Sequence, residues 1–144
     1  MRQLAPYKQG PYSRGHQLPS SSAWGPAQRA WPVELRVIED RHALKVTFED
    51  GAEYTLPAEY LRVESPSAEV QGHAPHEKQT VPGKRQVRIV EVEQVGAYAV
   101  RLVFDDGHQT GIYTWPYLWT LGAEQEEKFA AYLDALKAQG LARG

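Results

Sequence analysis

The 144-residue chain contains no cysteine, a single methionine and three phenylalanines. Without cysteine there are no disulfides, no thiolate metal sites and no cysteine nucleophile. No apolar run approaches the length of a membrane span or of a signal-peptide core. The expected compartment is therefore the cytoplasm, with no membrane partner. Acidic residues are missing from the first 33 positions, which carry Arg2, Lys8, Arg14 and Arg29 and so a charge of +4. The overall charge of −2 then leaves 12 basic and 18 acidic groups, a balance of −6, on the remainder. An acidic folded part argues against nucleic acid, because binding a phosphate backbone rests on clustered Lys and Arg.

What the chain does contain is a phrase written twice. Ala43 to Gly51 reads ALKVTFEDG, and Ala99 to Gly107, 56 residues later, reads AVRLVFDDG. Leu44, Val46 and Phe48 alternate with polar residues in the first copy, as do Val100, Leu102 and Phe104 in the second. A period of two marks a strand with one buried face. Asp-Gly directly after such a run signals a hairpin, since glycine takes positive φ without steric cost. A Tyr-Leu pair follows each copy, Tyr60-Leu61 and Tyr117-Leu118.

Around these copies the remaining segments fall into place. Residues 1–32 hold five prolines, three glycines and a triple serine with no periodic apolar face, a composition that predicts a disordered tail. Trp24 and Trp31 are its large anchors, and Trp31 is placed to dock on the folded edge. Val33, Leu35 and Val37 predict a first strand, and Ala52 to Leu56 a third, ended by Pro57 and a short helical turn. Glu64 to Arg85 has no period of either kind; a loop of that length is often functional or mobile. Gln86 to Glu93 resumes strand character, with a phase slip between Ile89 and Val90 that a bulge absorbs. Ala123 to Gln139 reads as a helix, with Phe129, Tyr132, Leu133 and Leu136 on one stripe. The fold class expected is α+β. Two similar antiparallel β-hairpin or meander units form a small β-rich domain over residues 33–140, with one C-terminal amphipathic helix.

The extended second copy, Asp106-Gly107-His108-Gln109-Thr110-Gly111-Ile112-Tyr113, and the stretch from Leu61-Arg62 to Ser65-Pro66-Ser67-Ala68-Glu69-Val70-Gln71-Gly72-His73 occur in the same order elsewhere. Together they resemble the γ-butyrobetaine hydroxylase-like N-terminal domain family, in its small stand-alone bacterial form, over roughly residues 33–122. In eukaryotic carnitine-pathway dioxygenases this domain precedes a catalytic iron/2-oxoglutarate domain, and there it resembles a zinc module of three cysteines and one histidine. Carried across, the resemblance puts the cysteine positions on Ser65, Ser67 and Val70 and the histidine on His108. The three thiolates are gone, which takes away the ligands a structural zinc needs. The family domain is also found joined to iron–sulfur carrier ATPases. The resemblance therefore implies an interaction or adaptor module whose protein partner is a metalloenzyme or an iron–sulfur assembly component. No cofactor is expected; the alternative is a small protein that itself binds iron or zinc.

Several residues carry candidate chemistry. A facial iron triad needs His-x-Asp/Glu, yet His42, His73, His76 and His108 are followed at the second position by Leu44, Pro75, Lys78 and Thr110. No catalytic residue is assigned. His108 is the retained ligand position; counted from the aligned turns it matches Ala52, which predicts a strand start pointing to the side where Ile112 is buried. His73 and His76, near Glu69 and Glu77, read either as weak metal ligands or as solvated loop residues. Pro82-Gly83-Lys84 lacks the spacing of a phosphate loop, and Lys84, Arg85 and Arg88 read as a solvated strand edge. Tyr113, Trp115, Tyr117 and Trp119 read either as an interaction surface or as packing beneath the final helix.

Overall fold

The structure, a computed structural model, describes residues 31–144. The expected tail lies outside these residues except for its end. Trp31 packs against the core, and its carbonyl accepts the Glu49 N–H at 2.8 Å. The described fold thus includes Trp31 and Pro32, ahead of the expected start at Val33.

Two three-stranded antiparallel sheets make up the β part. Strands β1 (Pro32–Ile38), β2 (Ala43–Phe48) and β3 (Glu53–Pro57) form the first, in that order. Strands β4 (Ile89–Val95), β5 (Ala99–Phe104) and β6 (Gly111–Thr114) form the second. The alternating residues face inward as their period requires: Leu44, Val46, Phe48 and Leu56 join Val100, Leu102, Phe104 and Tyr113 in one continuous core. The expected bulge is present in β4, where the register slips between Ile89 and Glu91, leaving Val90 exposed.

Each unit continues into a helix. In the first, α1 (Ala58–Val63) follows Pro57; a four-residue turn of helix, α2 (Ala68–Gln71), then interrupts the long connection. In the second, α3 (Trp115–Ala123) is a full helix where a short turn was expected. Thr114 caps it, its hydroxyl accepting the Tyr117 N–H at 3.3 Å, and Pro116 sits in the first turn, where its missing N–H costs nothing. The expected final helix starts later, as α4 (Gln125–Ala138), because the backbone at Glu124 leaves helical geometry. Tyr132 and Leu136 are buried and Phe129 packs on the core, while Leu133 is exposed at the edge of the stripe.

The two units hold each other by exchanged contacts. Tyr60 on α1 donates its hydroxyl to Leu121 O on α3 at 2.7 Å; Tyr117 on α3 donates to Glu64 O at the end of α1. Arg62 on α1 reaches Asp106 in the second hairpin turn at 2.7 Å, and Trp119 on α3 reaches Asp50 in the first at 3.1 Å. The helix positions, Tyr60 and Tyr117 or Arg62 and Trp119, are 57 residues apart, whereas the repeated strands and their turn aspartates, Asp50 and Asp106, are 56 apart. One extra residue therefore lies in the second hairpin. It falls after His108, since His108 O accepts the Phe104 N–H just as Ala52 O accepts that of Phe48, while Tyr54 is matched across the sheet by Gly111.

The long connection is tied down rather than loose. Gln79 N–H donates to Val70 O at 2.7 Å, Gln71 to Ser65 O at 2.9 Å, and Lys78 pairs with buried Glu64 at 2.7 Å. Gly72, at φ 68°, leaves no room for a side chain, because a Cβ there would stand 2.4 Å from that of Glu77. Beyond residue 140 the chain doubles back, with Ala142 O and Arg143 O accepting from Gly83 and Arg85 at 2.9 and 3.0 Å. The fold thus extends past the expected boundary at 140.

Candidate functional site

The residues singled out around His108 do come together. The inserted residue lets the chain bulge over Gln109-Thr110, so β6 begins at Gly111 and its inward residues are Gly111 and Tyr113. Ile112 is 41% exposed, and His108 lies in the turn before the strand, not at its start. This corrects the parity read from the aligned turns, which assumed equal lengths. His108 is nonetheless buried, at 7% exposure. Its ring stacks obliquely near Phe104 at 6.1 Å, as Tyr54 stands near Phe48 at 6.2 Å in the first unit. The two hairpins exchange volume. Large Tyr54 covers Gly122 in one, while in the other Ser65 Oγ lies over Gly111 and is bonded to His108.

A closed polar network surrounds the imidazole. His108 Nε2 is hydrogen-bonded to Ser65 Oγ at 2.8 Å, and Ser67 N–H donates to the same oxygen at 3.3 Å. Ser67 Oγ caps α2 by accepting the Glu69 N–H and is hydrogen-bonded to Thr110 Oγ1 at 2.8 Å. Thr110 also donates to the Glu69 carboxylate. Below the ring, Asp106 accepts the His108 N–H at 3.0 Å and binds Arg62 and Lys84, each at 2.7 Å. Burial alone would raise the Asp106 carboxyl, but Lys84, the His108 N–H and Arg62 together hold it down at about 2. Burial lowers the His108 pKa, with the nearby Arg62 charge adding to it against the pull of Glu69 and Asp106. The hydrogen bond from Thr110 lowers the exposed Glu69 carboxyl. Lys84 is therefore part of this network and not of a solvated edge.

The donor set does not fit zinc. Ser65 and Ser67 supply neutral hydroxyls, Val70 is a buried hydrocarbon, and only His108 is a good ligand. Ser65 Oγ and His108 Nε2 are at hydrogen-bond distance, whereas two ligands about 2 Å from one tetrahedral zinc stand about 3.3 Å apart. The order Ser65, His108, Glu69 also resembles a nucleophile–base–acid series, but Ser65 is 0% exposed and Glu69 Oε1 stands 4.0 Å from His108 Nδ1. A triad needs both links within about 3.2 Å and a nucleophile that substrate can reach.

The other candidates lie apart from this network. His73 and His76 are exposed on the long connection, His76 at 3.9 Å from Glu77. Among the described residues no three His, Asp or Glu side chains group so as to hold a metal ion. The aromatic run is mostly core. Tyr113 and Trp115 are buried, Tyr113 bonding to Leu61 O and Trp115 to Ala97 O, so neither offers an interaction surface. Tyr117 and Trp119 are half-buried against the core, Trp119 edge-on to Tyr54. Burial pushes the Tyr113 and Tyr117 phenols far up. The Arg62–Asp106–Lys84 cluster escaped the sequence reading. No local pattern ties these three together, since they lie far apart in the sequence and meet only across the fold.

Comparison with known proteins places the chain among close structural relatives. Two proteins solved by NMR match with 41% and 38% identity and TM-scores of 0.68 and 0.70, covering 79% and 89% of this chain and 90% and 91% of theirs. A protein of unknown function from Acidithiobacillus ferrooxidans, assigned to the DUF971 family, is 42% identical over 70% of this chain and 100% of its own, with a TM-score of 0.56. No curated protein matches the sequence. Residues 35–119 match the family described as "Gamma-butyrobetaine hydroxylase-like, N-terminal", and over these residues lie both β units and the His108 network; the chain belongs to that family.

Proposed function

We propose that this protein is a non-catalytic interaction module serving a metalloenzyme or metal-cofactor assembly partner. The observation that carries the reading is the closure of the His108 network. The serine hydroxyls and the imidazole there are hydrogen-bonded within the fold, and the hydroxyl of Ser65 has no access to solvent, while the Glu69 carboxylate stands at the exposed rim. A family named for the N-terminal part of a hydroxylase fits a domain that accompanies chemistry performed elsewhere. Fold likeness alone does not assign activity, so the partner must be found by capture. Affinity capture from the native host, with quantitative mass spectrometry, should return one enriched metalloprotein or iron–sulfur assembly protein; equal recovery with an unfolded control would sink the proposal.

A second reading, a small iron- or zinc-binding protein, rests on one observation. His108 Nδ1 faces the Glu69 carboxylate at 4.0 Å, an imidazole and a carboxylate of the kind that together suit iron or zinc. Elemental analysis of untagged protein beside His108→Ala separates the two. The interaction reading expects no stoichiometric metal in either, and one equivalent present in the wild type but lost from the variant would establish the second reading instead.

A further inference from the structure

Glu59 has no role in the network around His108, yet it is 6% exposed in the first turn of α1. A carboxylate so buried needs a partner. Arg143 supplies it as a fork, Nε to one oxygen at 2.9 Å and Nη2 to the other at 2.6 Å. The same guanidinium carbon lies 5.4 Å from the centre of the Phe129 ring. A planar, always-charged fork facing a carboxylate and stacked on an aromatic face is a geometry that arginine satisfies and lysine does not. Main-chain donors flank it, Gly83 N–H and Arg85 N–H, which hold the backbone of residues 142 and 143. Gly140, at φ 67°, turns the chain out of α4 and toward this edge.

These features form a receptor for an extended, arginine-bearing segment: a buried acid, an aromatic wall and an edge of peptide donors. From them we infer that the Glu59–Phe129 site is a peptide-recognition surface, that residues 141–144 occupy it as an internal ligand, and that an arginine-bearing segment of a protein partner replaces them. The inference deepens the interaction reading and rests on it. The internal strap shows which chemistry the site accepts, and the exposure of its arginine shows why it can exchange. The main-chain bonds from Gly83 and Arg85, one ion pair and the Phe129 contact hold it to the site, with Arg143 itself a third exposed. While the strap is seated, the site's apparent affinity for a competing segment falls in proportion to the fraction of open molecules.

The test uses the full chain and a blocked peptide of sequence GLARG, with GLAKG and GLAAG as controls, read by calorimetry and by amide shifts at Gly83 and Arg85. Arg143→Ala frees Glu59 and the Phe129 face and weakens the strap to its main-chain bonds, and it should bind GLARG at least about tenfold more tightly than the wild type does. Arg143→Lys keeps a charge beside Glu59 if the alanine variant folds poorly, and it too should gain affinity for GLARG. Both controls should bind weakly, and adding Glu59→Gln to either variant should abolish the gain. Equal binding of the three peptides, equal affinity in wild type and variants, or shifts away from Gly83 and Arg85 would overturn the inference. So would a concentration-dependent dimer of the wild type that Arg143→Ala abolishes, since a second copy would then be the occupant. Failure here beside successful capture of a host partner would overturn this site alone and leave the interaction reading standing.

Discussion

At the scale of single residues, His108 shows how a ligand position becomes a packing position. Its ring takes the place beside Phe104 that the Tyr54 ring takes beside Phe48, and its nitrogen is satisfied by Ser65. Removing the ring leaves both a cavity and an unpaired hydroxyl, so His108→Ala should lower stability by about 2–3 kcal/mol in urea unfolding. The same group gives stability a pH slope. Its folded pKa lies below the ordinary 6.5, so the unfolded chain binds the proton more readily. The contribution is complete above about 6.5 and is lost as pH falls through the folded value. Asp106, at about 2 against an ordinary 3.8, adds a second window: its stabilisation is present above 3.8 and lost as pH falls toward 2. Urea midpoints measured from pH 7 to pH 5 should fall in the wild type and stay flatter in His108→Gln; parallel curves would show that His108 is not the titrating group.

At the scale of elements, most of what the chain builds was legible, because period and turn chemistry are local. Strands β1 to β5 follow from alternation, with one slip in β4, β6 follows from the hairpin turn before it, and Gly51 and Gly107 both sit at φ 92° as their Asp-Gly turns require. Gly51→Val and Gly107→Val should therefore each cost roughly 1–2 kcal/mol in thermal unfolding, since a β-branched residue at positive φ is strained and no neighbour compensates. The turn between β1 and β2 follows a different rule. Glu39, Asp40 and Arg41 all take positive φ without a glycine among them, at 53°, 54° and 70°. Contacts offset the strain at two of them: the Arg41 guanidinium bonds the Ile89 and Val90 carbonyls at 3.3 and 3.0 Å, and Asp40 pairs with Arg88. Glu39 makes no such side-chain link that this turn depends on, so Glu39→Gly should raise stability by roughly 1 kcal/mol. A lower melting temperature in that variant would show that the side chain matters after all. What local rules could not show was the extra residue after His108. The change of spacing from 56 to 57 betrays an insertion, but only the register across the sheet shows that it falls before β6 and reverses the parity there. Likewise the aromatic run from Tyr113 to Trp119 reads the same in sequence whether buried or displayed. Burial is decided by the first unit's α1, which lies far away in the chain.

At the scale of the whole molecule, the exchanged contacts make the two units mutually dependent. Each three-stranded unit alone has one apolar face and would leave it in water. In the folded chain both faces share one core, and each unit's helix bonds the other unit's hairpin turn or helix end. Stability of this kind cannot be divided between halves. Tyr60 and Tyr117 test it, because their hydroxyls link α1 and α3 in opposite directions across the same seam. Replacing either by Phe keeps the ring in place but leaves a carbonyl without its donor, a cost of about 1–2 kcal/mol. If the units were independent, Tyr60→Phe would weaken hydrogen-exchange protection mainly in β1–β3, and Tyr117→Phe mainly in β4–β6. A single cooperative core instead predicts that each variant lowers protection in both sheets by the same amount, with coincident urea transitions by tryptophan fluorescence and circular dichroism. A biphasic transition, or protection lost from one sheet alone, would show that the seam joins two separate folding units.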